Sequence, residues 1–264
     1  MNVKLLHHIK TAYMPFVWHL LGSALVVAMV GLVVVKFWYP HPYEMMTGGL
    51  NILLILAIVD LVCGPLLTLV LFSSQKSRRE ILLDIGVIIC IQFLALVYGV
   101  SQVYEARPLF LVHEVDRFRV VAMPDYQGRV AGSQLDRFYS GTDWRWLSGP
   151  IVVGVREPES SVERQEVTLD VLSGGRDYGQ RPELYVPYDS SYSAKVLKRA
   201  KPLGDFLRVH PELMAASRDL LIHSRVGVDR AVFVPVQARH EWVAVLDQSA
   251  RILGFLPGDG FSVR

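Results

Sequence analysis

Cysteine is almost missing from this chain of 264 residues. There are two, Cys63 and Cys90, and both fall inside long apolar runs. No disulfide framework can therefore support the remainder, and two thiols alone do not make a metal site. They read as small, apolar packing residues. Catalytic signatures are missing too: there is no G-x-x-x-x-G-K-[ST] phosphate loop, H-E-x-x-H, G-x-S-x-G or C-x-x-C. Neither sign of charge dominates. The 27 Lys and Arg against 25 Asp and Glu leave +2, and no dense basic patch appears outside two short loops, so no nucleic-acid partner is expected. Of eight histidines only His19 sits inside an apolar run; a bis-histidine haem would want two facing ones. Four of the others, His113, His210, His223 and His240, are scattered through the polar half and read as surface or packing residues. The inventory predicts no catalytic residue, no metal and no cofactor.

Apolar residues are what the chain does have, at 52% of the total and a mean hydropathy of +0.32. They concentrate before about residue 105, which divides the chain into a membrane-embedded half and a soluble half of ordinary domain size. Three runs, about 16–39, 50–72 and 81–104, approach the roughly 20 residues a helix needs to cross hydrocarbon. The first is too long for a signal-peptide core and has no A-x-A site, so it reads as a retained anchor. Aromatics mark its ends: Tyr13, Phe16 and Trp18, then Phe37, Trp38, Tyr39 and Tyr43. Lys4 and Lys10 precede the first span and Lys76, Arg78 and Arg79 follow the second, whereas the loop PHPYEMMTGG has no Lys or Arg. The positive-inside rule then places the N-terminus and second loop in the cytoplasm and the C-terminal half outside, in the periplasm of a Gram-negative cell. Lys36 and Arg107 run against this bias; Lys36 can snorkel to the headgroups.

The expected fold is a membrane protein: a three-helix transmembrane N-terminal bundle, residues 1–105, followed by a soluble α+β domain, residues 106–264. Two β-rich runs, Leu109 to Val112 and Arg119 to Met123, flank a charged turn and predict a hairpin. SSYSAKVLKRAKPLGDFLRV and PELMAASRDLLIHS have helical spacing, with a break at Pro202. AVFVPVQAR, EWVAVLD and ARILGFLP predict a closing antiparallel sheet. The triplet DRF, at Asp116 to Phe118 and Asp136 to Phe138, is too short to mark a repeat.

The second span, LAIVDLVCGPLLTLVLF, carries an aspartate, a glycine and a proline among residues that could all dissolve in lipid. Asp60 lies about 12 residues above the cytoplasmic loop, at roughly 18 Å, and Gln92 lies at nearly the same depth in the third span. Antiparallel neighbours could pair them, since a charged Asp near the bilayer centre costs about 2.5–3.5 kcal/mol on insertion scales. Gly64 and Pro65 remove a helical hydrogen bond and predict a kink. One reading is interhelical glue, worth on the order of 0.6 kcal/mol per bond. The other is a polar, kinked docking groove for a further transmembrane helix, built from Asp60, Gly64, Pro65, Thr68 and Gln92. Ala24 and Ala28, and Ala95 and Gly99, have the small-xxx-small spacing of close helix packing. Asp84 reads as an interfacial cap.

WYPHPYEMMTGG, LAIVDLVCGPLLTLVLF, RREILLDIGVIICIQFLALVYGV and YEARPLFLVHEVDRFRVV, in that order over roughly residues 18 to 123, resemble the TfpX/TfpZ family of type IV pilin accessory proteins. Asp60, Gly64, Pro65, Thr68, Asp84, Gln92, Tyr98, Gly99, Arg107 and Pro108 fall on the family pattern. The resemblance implies a multi-pass protein of the bacterial inner membrane that assists pilus assembly and is assigned no reaction. Its partners would be the lipid bilayer, a type IV pilin subunit (the major pilin) and other pilus assembly components. Such pilins carry a carboxylate near the start of an otherwise apolar helix. The expected function is thus a non-catalytic chaperone or assembly modulator of a pilin. The alternatives are a membrane enzyme acting on lipid-linked or envelope substrates, with Asp60 or Asp84 as acid-base groups, and a sensor or structural subunit of another envelope complex.

Overall fold

Each of the three apolar runs is a single long helix. The structure, a computed structural model, describes residues 3–71, 76–126, 135, 137–139 and 148–263, with side chains of the first helix from Ala12 onward. The side chains of Lys4 and Lys10, and all of Phe72 and Asp136, lie outside the described residues. Helix α1 spans Val3–Val33 and closes on a π-turn, Val34–Trp38; α2 is a short helix, Tyr43–Thr47; α3 spans Gly49–Leu71 and α4 spans Arg78–Glu105. Ala12–Trp38, α3 and α4 are each long and apolar enough to cross a membrane. Only 6% of the apolar stretch of the first and of the third is buried inside the protein. Side chains such as Leu25, Val70 and Leu82 point outward, so their burial must come from lipid.

The chain divides into two compact units. One comprises Met1–Phe37 and Gly49–Glu105, the other Trp38–Gly48 and Ala106–Arg264. In the first, α3 packs against both α1 and α4. A capping box starts α4: the Ser77 hydroxyl accepts from Glu80 N–H at 3.3 Å, and the Glu80 carboxylate accepts from Ser77 N–H at 2.7 Å. Asp84, expected as the cap, instead takes Lys76 Nζ at 2.5 Å.

Among the described residues the second unit is built on one eight-stranded mixed sheet. Its strands are β1 (Pro108–His113), β2 (Phe118–Ala122), β3 (Ile151–Val155), β4 (Tyr185–Pro187), β5 (Lys201–Pro202), β6 (Val232–Gln237), β7 (Trp242–Leu246) and β8 (Ile252–Pro257). The order is β4-β3-β1-β2-β6-β7-β8, with β5 on β6. The β1/β2 hairpin and the β6-β7-β8 meander are antiparallel, as the closely spaced apolar runs predict, whereas β1 runs parallel to β3 and β2 parallel to β6.

Helices cover both faces, which is why a strand such as WVAVL is apolar throughout. Trp242, Ala244 and Leu246 pack on one side with Val196 of α6 (Ser193–Leu197) and with Tyr192, which precedes that helix. Val243 and Val245 pack on the other with Phe206 of α7 (Leu203–Val209) and Leu221 of α8 (Met214–Ser224). Helix α5 (Ser161–Leu172) places Val167 against Phe110 and Val153. The Ser160 hydroxyl caps it by accepting from Glu163 N–H at 3.0 Å.

Trp38–Gly48, the segment between the first two spans, belongs to this core. Tyr43 and Met46 of α2 are buried with Leu111, Val234 and Trp242. The Tyr43 ring meets Phe255 edge-on at 5.7 Å, and the Met46 carbonyl accepts from His240 N–H at 3.0 Å. Residues 38–48, eleven of the 1–105 expected in the membrane half, thus pack with the sheet.

His113, at the end of β1, is fully buried between Phe118 and Tyr192, with Nδ1 at 3.1 Å from the Tyr192 hydroxyl. Burial, helped by the nearby Lys195 charge, pushes its pKa from 6.5 down to about 4. An unfolded chain takes up this proton near pH 6.5 while the folded one resists until about pH 4. The second unit is therefore expected to keep its full stability above pH 6.5 and to lose up to about 3 kcal/mol between there and pH 4. Urea midpoints of the second unit, read by pulse proteolysis across that range, check it. In His113→Leu the slope should flatten whatever the absolute stability; an unchanged slope would assign the acid sensitivity to another group.

Candidate functional site

Asp60, Gly64 and Thr68 recur every four residues along α3 and so share one helix face. With Pro65 they are buried, while Val59, Val62, Leu66 and Val70 on the remaining faces are exposed. Helix α1 brings His19 to this polar stripe and α4 brings Gln92. The Gln92 side chain donates through Nε2 to the main-chain carbonyl of Asp60 at 3.1 Å. Its Oε1 then faces His19 Nε2 at 2.5 Å, and His19 Nδ1 meets Thr68 Oγ1 at 2.5 Å. Thr68 Oγ1 also lies 3.1 Å from the Gly64 carbonyl, one turn back on its own helix.

Donor logic fixes most of the protons. An amide oxygen only accepts, so His19 Nε2 carries a hydrogen. The Thr68 hydroxyl lies within hydrogen-bond distance of both His19 Nδ1 and the Gly64 carbonyl, so it ties α1 to α3 while closing a bond within its own helix.

Gly64 makes this approach possible. A Cβ there would stand 1.8 Å from Gln92 Nε2, so any other residue would expel the amide from the α3 backbone. Pro65 supplies no N–H, leaving the Leu61 carbonyl without its ordinary helical donor. At Gly99 a Cβ would meet Leu56 Cδ1 at 2.3 Å. Ala28 and Ala95 are exposed and Ala24 is half-buried. Cys63 and Cys90, read as packing residues, lie on the outer faces of their helices.

The expected Asp60–Gln92 pair thus forms through the aspartate's main chain, and its carboxyl is left over. Among the described residues no hydrogen bond reaches that carboxyl, which lines a cavity of about 500 Å³. Trp18, His19 and Val26 of α1 form one wall and Ile89, Gln92 and Phe93 of α4 the other, with Asp60 and Thr68 contributed by α3. The space is an apolar-walled cleft between α1 and α4 with one polar side. Among the described residues no group of His, Cys, Asp and Glu is arranged to hold a metal ion.

Residues 7–48 match the family model of the fimbrial assembly protein FimB. Over 248 residues the chain is 31% identical to the fimbrial assembly protein, serogroup I, of Dichelobacter nodosus, covering 93% of this chain and 94% of that protein. The serogroup E1 protein of the same organism is 30% identical over 247 residues, covering 92% and 93%. The serogroups C1 and C2 protein is 36% identical over 107 residues, covering 40% of this chain and 82% of its own length. No solved structure matches the chain.

The network predicts an unequal cost for two substitutions. Gln92→Leu removes both of its interhelical bonds and leaves the His19 N–H facing hydrocarbon, whereas Asp60→Asn removes neither bond. Gln92→Leu should therefore destabilise the bundle by about 1–2 kcal/mol more than Asp60→Asn. Thermal unfolding in detergent reads the difference, and equal losses would mean that the amide does not hold the helices together.

Proposed function

Because the chain belongs to the fimbrial assembly protein family, we propose that it is a non-catalytic inner-membrane accessory protein of type IV pilus assembly. Its bundle holds the apolar helix of a pilin subunit before that subunit joins the fibre. The observation that carries this reading is the cleft between α1 and α4, with apolar walls and an Asp60 carboxyl unengaged by any hydrogen bond among the described residues. A pilin waiting in the membrane presents a single hydrophobic helix, and the resemblance implies a carboxylate near that helix's start. In hydrocarbon such a group needs a partner, and two carboxyls in one dry site can share a proton. The named relatives are fimbrial assembly proteins, and this role is what the chain takes from them.

The orientation proposed is N-terminus in the cytoplasm and sheet domain in the periplasm, where the head of a pilin would lie. Two observations support it. The Lys and Arg of the loops fall on the proposed cytoplasmic side. Independently, Trp38–Gly48 shares a core with residues after α4; two spans separate these segments, so both must emerge on one face of the membrane. A periplasm-active reporter fused after residue 125 should be active, and one fused at Lys76 inactive. The reverse pattern would put the sheet domain in the cytoplasm and end its assignment to the pilin head.

Docking is tested in the cleft itself. Pro65→Ala should leave the protein in the membrane at wild-type level yet lower the number of surface pili, and Asp60→Leu should lower it further. A photo-crosslinker in place of Phe93, which is 62% exposed on the cleft wall, should capture the pilin helix. Normal piliation in both variants together with no crosslink would return Asp60 and Pro65 to the packing of the bundle.

A further inference from the structure

The second unit carries a cavity that pilin docking in the bundle does not use. It is about 330 Å³ and opens where the parallel strands β1 and β3 end, between Glu114 and Val115 on one strand end and Val155 to Pro158 on the other. The carboxyl ends of adjacent parallel strands are where sheets with covered faces most often bind ligands. Charge here is one-sided: Arg156, Arg164, Lys195, Lys198 and Arg199 line the cavity against Glu114 and Glu157.

Several of these groups are already engaged. Arg156 holds Glu163 at 2.8 Å, and Lys195 Nζ donates to the Val155 carbonyl at 2.8 Å. Glu114 accepts from Gly179 N–H at 2.8 Å and pairs with Arg119 at 3.8 Å, so its carboxylate is already engaged; burial raises its pKa. Arg164, Lys198 and Arg199 remain, and no carboxylate among the described residues lies within ion-pair distance of any of them. They converge from two elements, Arg164 from α5 and the other two from just beyond α6. Tyr178, Val115 and Pro158 complete an apolar wall.

We propose that this cavity is a binding site for a phosphate-bearing ligand, with Arg164, Lys198 and Arg199 as the groups that take the anion. Guanidinium forks match phosphate oxygens bidentately, and the lysine adds a mobile point charge. The cavity is concave and compact, which suits a phosphate group better than the flat acidic surface of a folded partner. The same chemistry occurs in a soluble phosphate ester and in a phospholipid headgroup. The apolar wall would accept the uncharged part of either.

The test uses the full chain in nanodiscs. Pyrophosphate is titrated against discs of phosphatidylcholine, and separate discs contain phosphatidylglycerol. Saturable pyrophosphate binding is expected, at least tenfold weaker in Arg164→Gln/Lys198→Gln/Arg199→Gln and unchanged in Arg208→Gln, an exposed arginine elsewhere. All three substituted side chains are exposed, so thermal unfolding should stay at the wild-type value. If phosphatidylglycerol discs abolish pyrophosphate binding in the wild type and leave its thermal unfolding raised only there, the headgroup is the source. If they do not compete, it is a soluble ester; the site stands in either case. No saturable binding, equal binding by the triple variant, or tighter binding of hexaglutamate than of pyrophosphate would overturn the proposal.

Discussion

Hydrocarbon offers no hydrogen-bond partner, so each polar group carried into the spans must find one in the protein. That constraint organises the bundle. Asp60, Thr68, His19 and Gln92 come from three helices and converge on one face of α3, where α1 and α4 flank it. Gly64 is the geometric condition for their meeting, because only the absence of a Cβ lets the Gln92 amide reach the Asp60 carbonyl. The bonds themselves contribute little, on the order of 0.6 kcal/mol each. Their effect is on register: sliding or rotating α4 by one residue would strand an amide and an imidazole together. The network thus fixes which helix faces meet, and so fixes the cleft between α1 and α4.

A second constraint is covalent. Trp38–Gly48 is tethered at both ends to membrane helices yet buries Tyr43 and Met46 in the core of the sheet domain. The domain's interior is therefore closed by a segment made long before its last strands. Trp242 and Phe255, which Tyr43 and Met46 cover, belong to β7 and β8 near the chain's end. This core can close only after all three spans are in place and the C-terminus has been delivered to the same side of the membrane.

The spans were legible because twenty-residue apolar runs admit few alternatives, and the hairpin and closing meander were legible from short β-rich apolar runs separated by polar turns. The parallel pairing of β1 with β3 was not, since no periodicity reports which distant strand lies alongside. Helix α5 carried a readable signal, Ser160 with Glu163 three residues on, but its weakly apolar face hid it in a polar stretch. Asp60 and Gln92 were matched by depth alone, which brought the right helices together but named the wrong atom of Asp60. His19 was the clearest miss. Judged against haem ligation it lacked a partner histidine, yet an ionisable residue inside a span signals a polar network whatever its cofactor prospects. The role of loop 38–48 left no local trace, because its few apolar residues look interfacial until the surface they cover is known.

In the docking proposed above, the polar side of the cleft bears on selectivity more than on affinity. Lipid tails are as apolar as leucine, so an entirely apolar groove would gain little by exchanging lipid for a helix and would scarcely distinguish one helix from another. Gln92 and His19 are already engaged within the bundle, so they ask nothing of a guest. Asp60 is different. Its carboxyl faces the cleft with no hydrogen bond among the described residues, and lipid cannot provide one. A helix that brings a polar group to that depth relieves the cost on both sides, while a wholly apolar helix relieves neither. Discrimination then comes from the penalty on the wrong guest as much as from contacts with the right one. On that proposal, one carboxyl without a hydrogen bond among the described residues is enough to make the cleft selective.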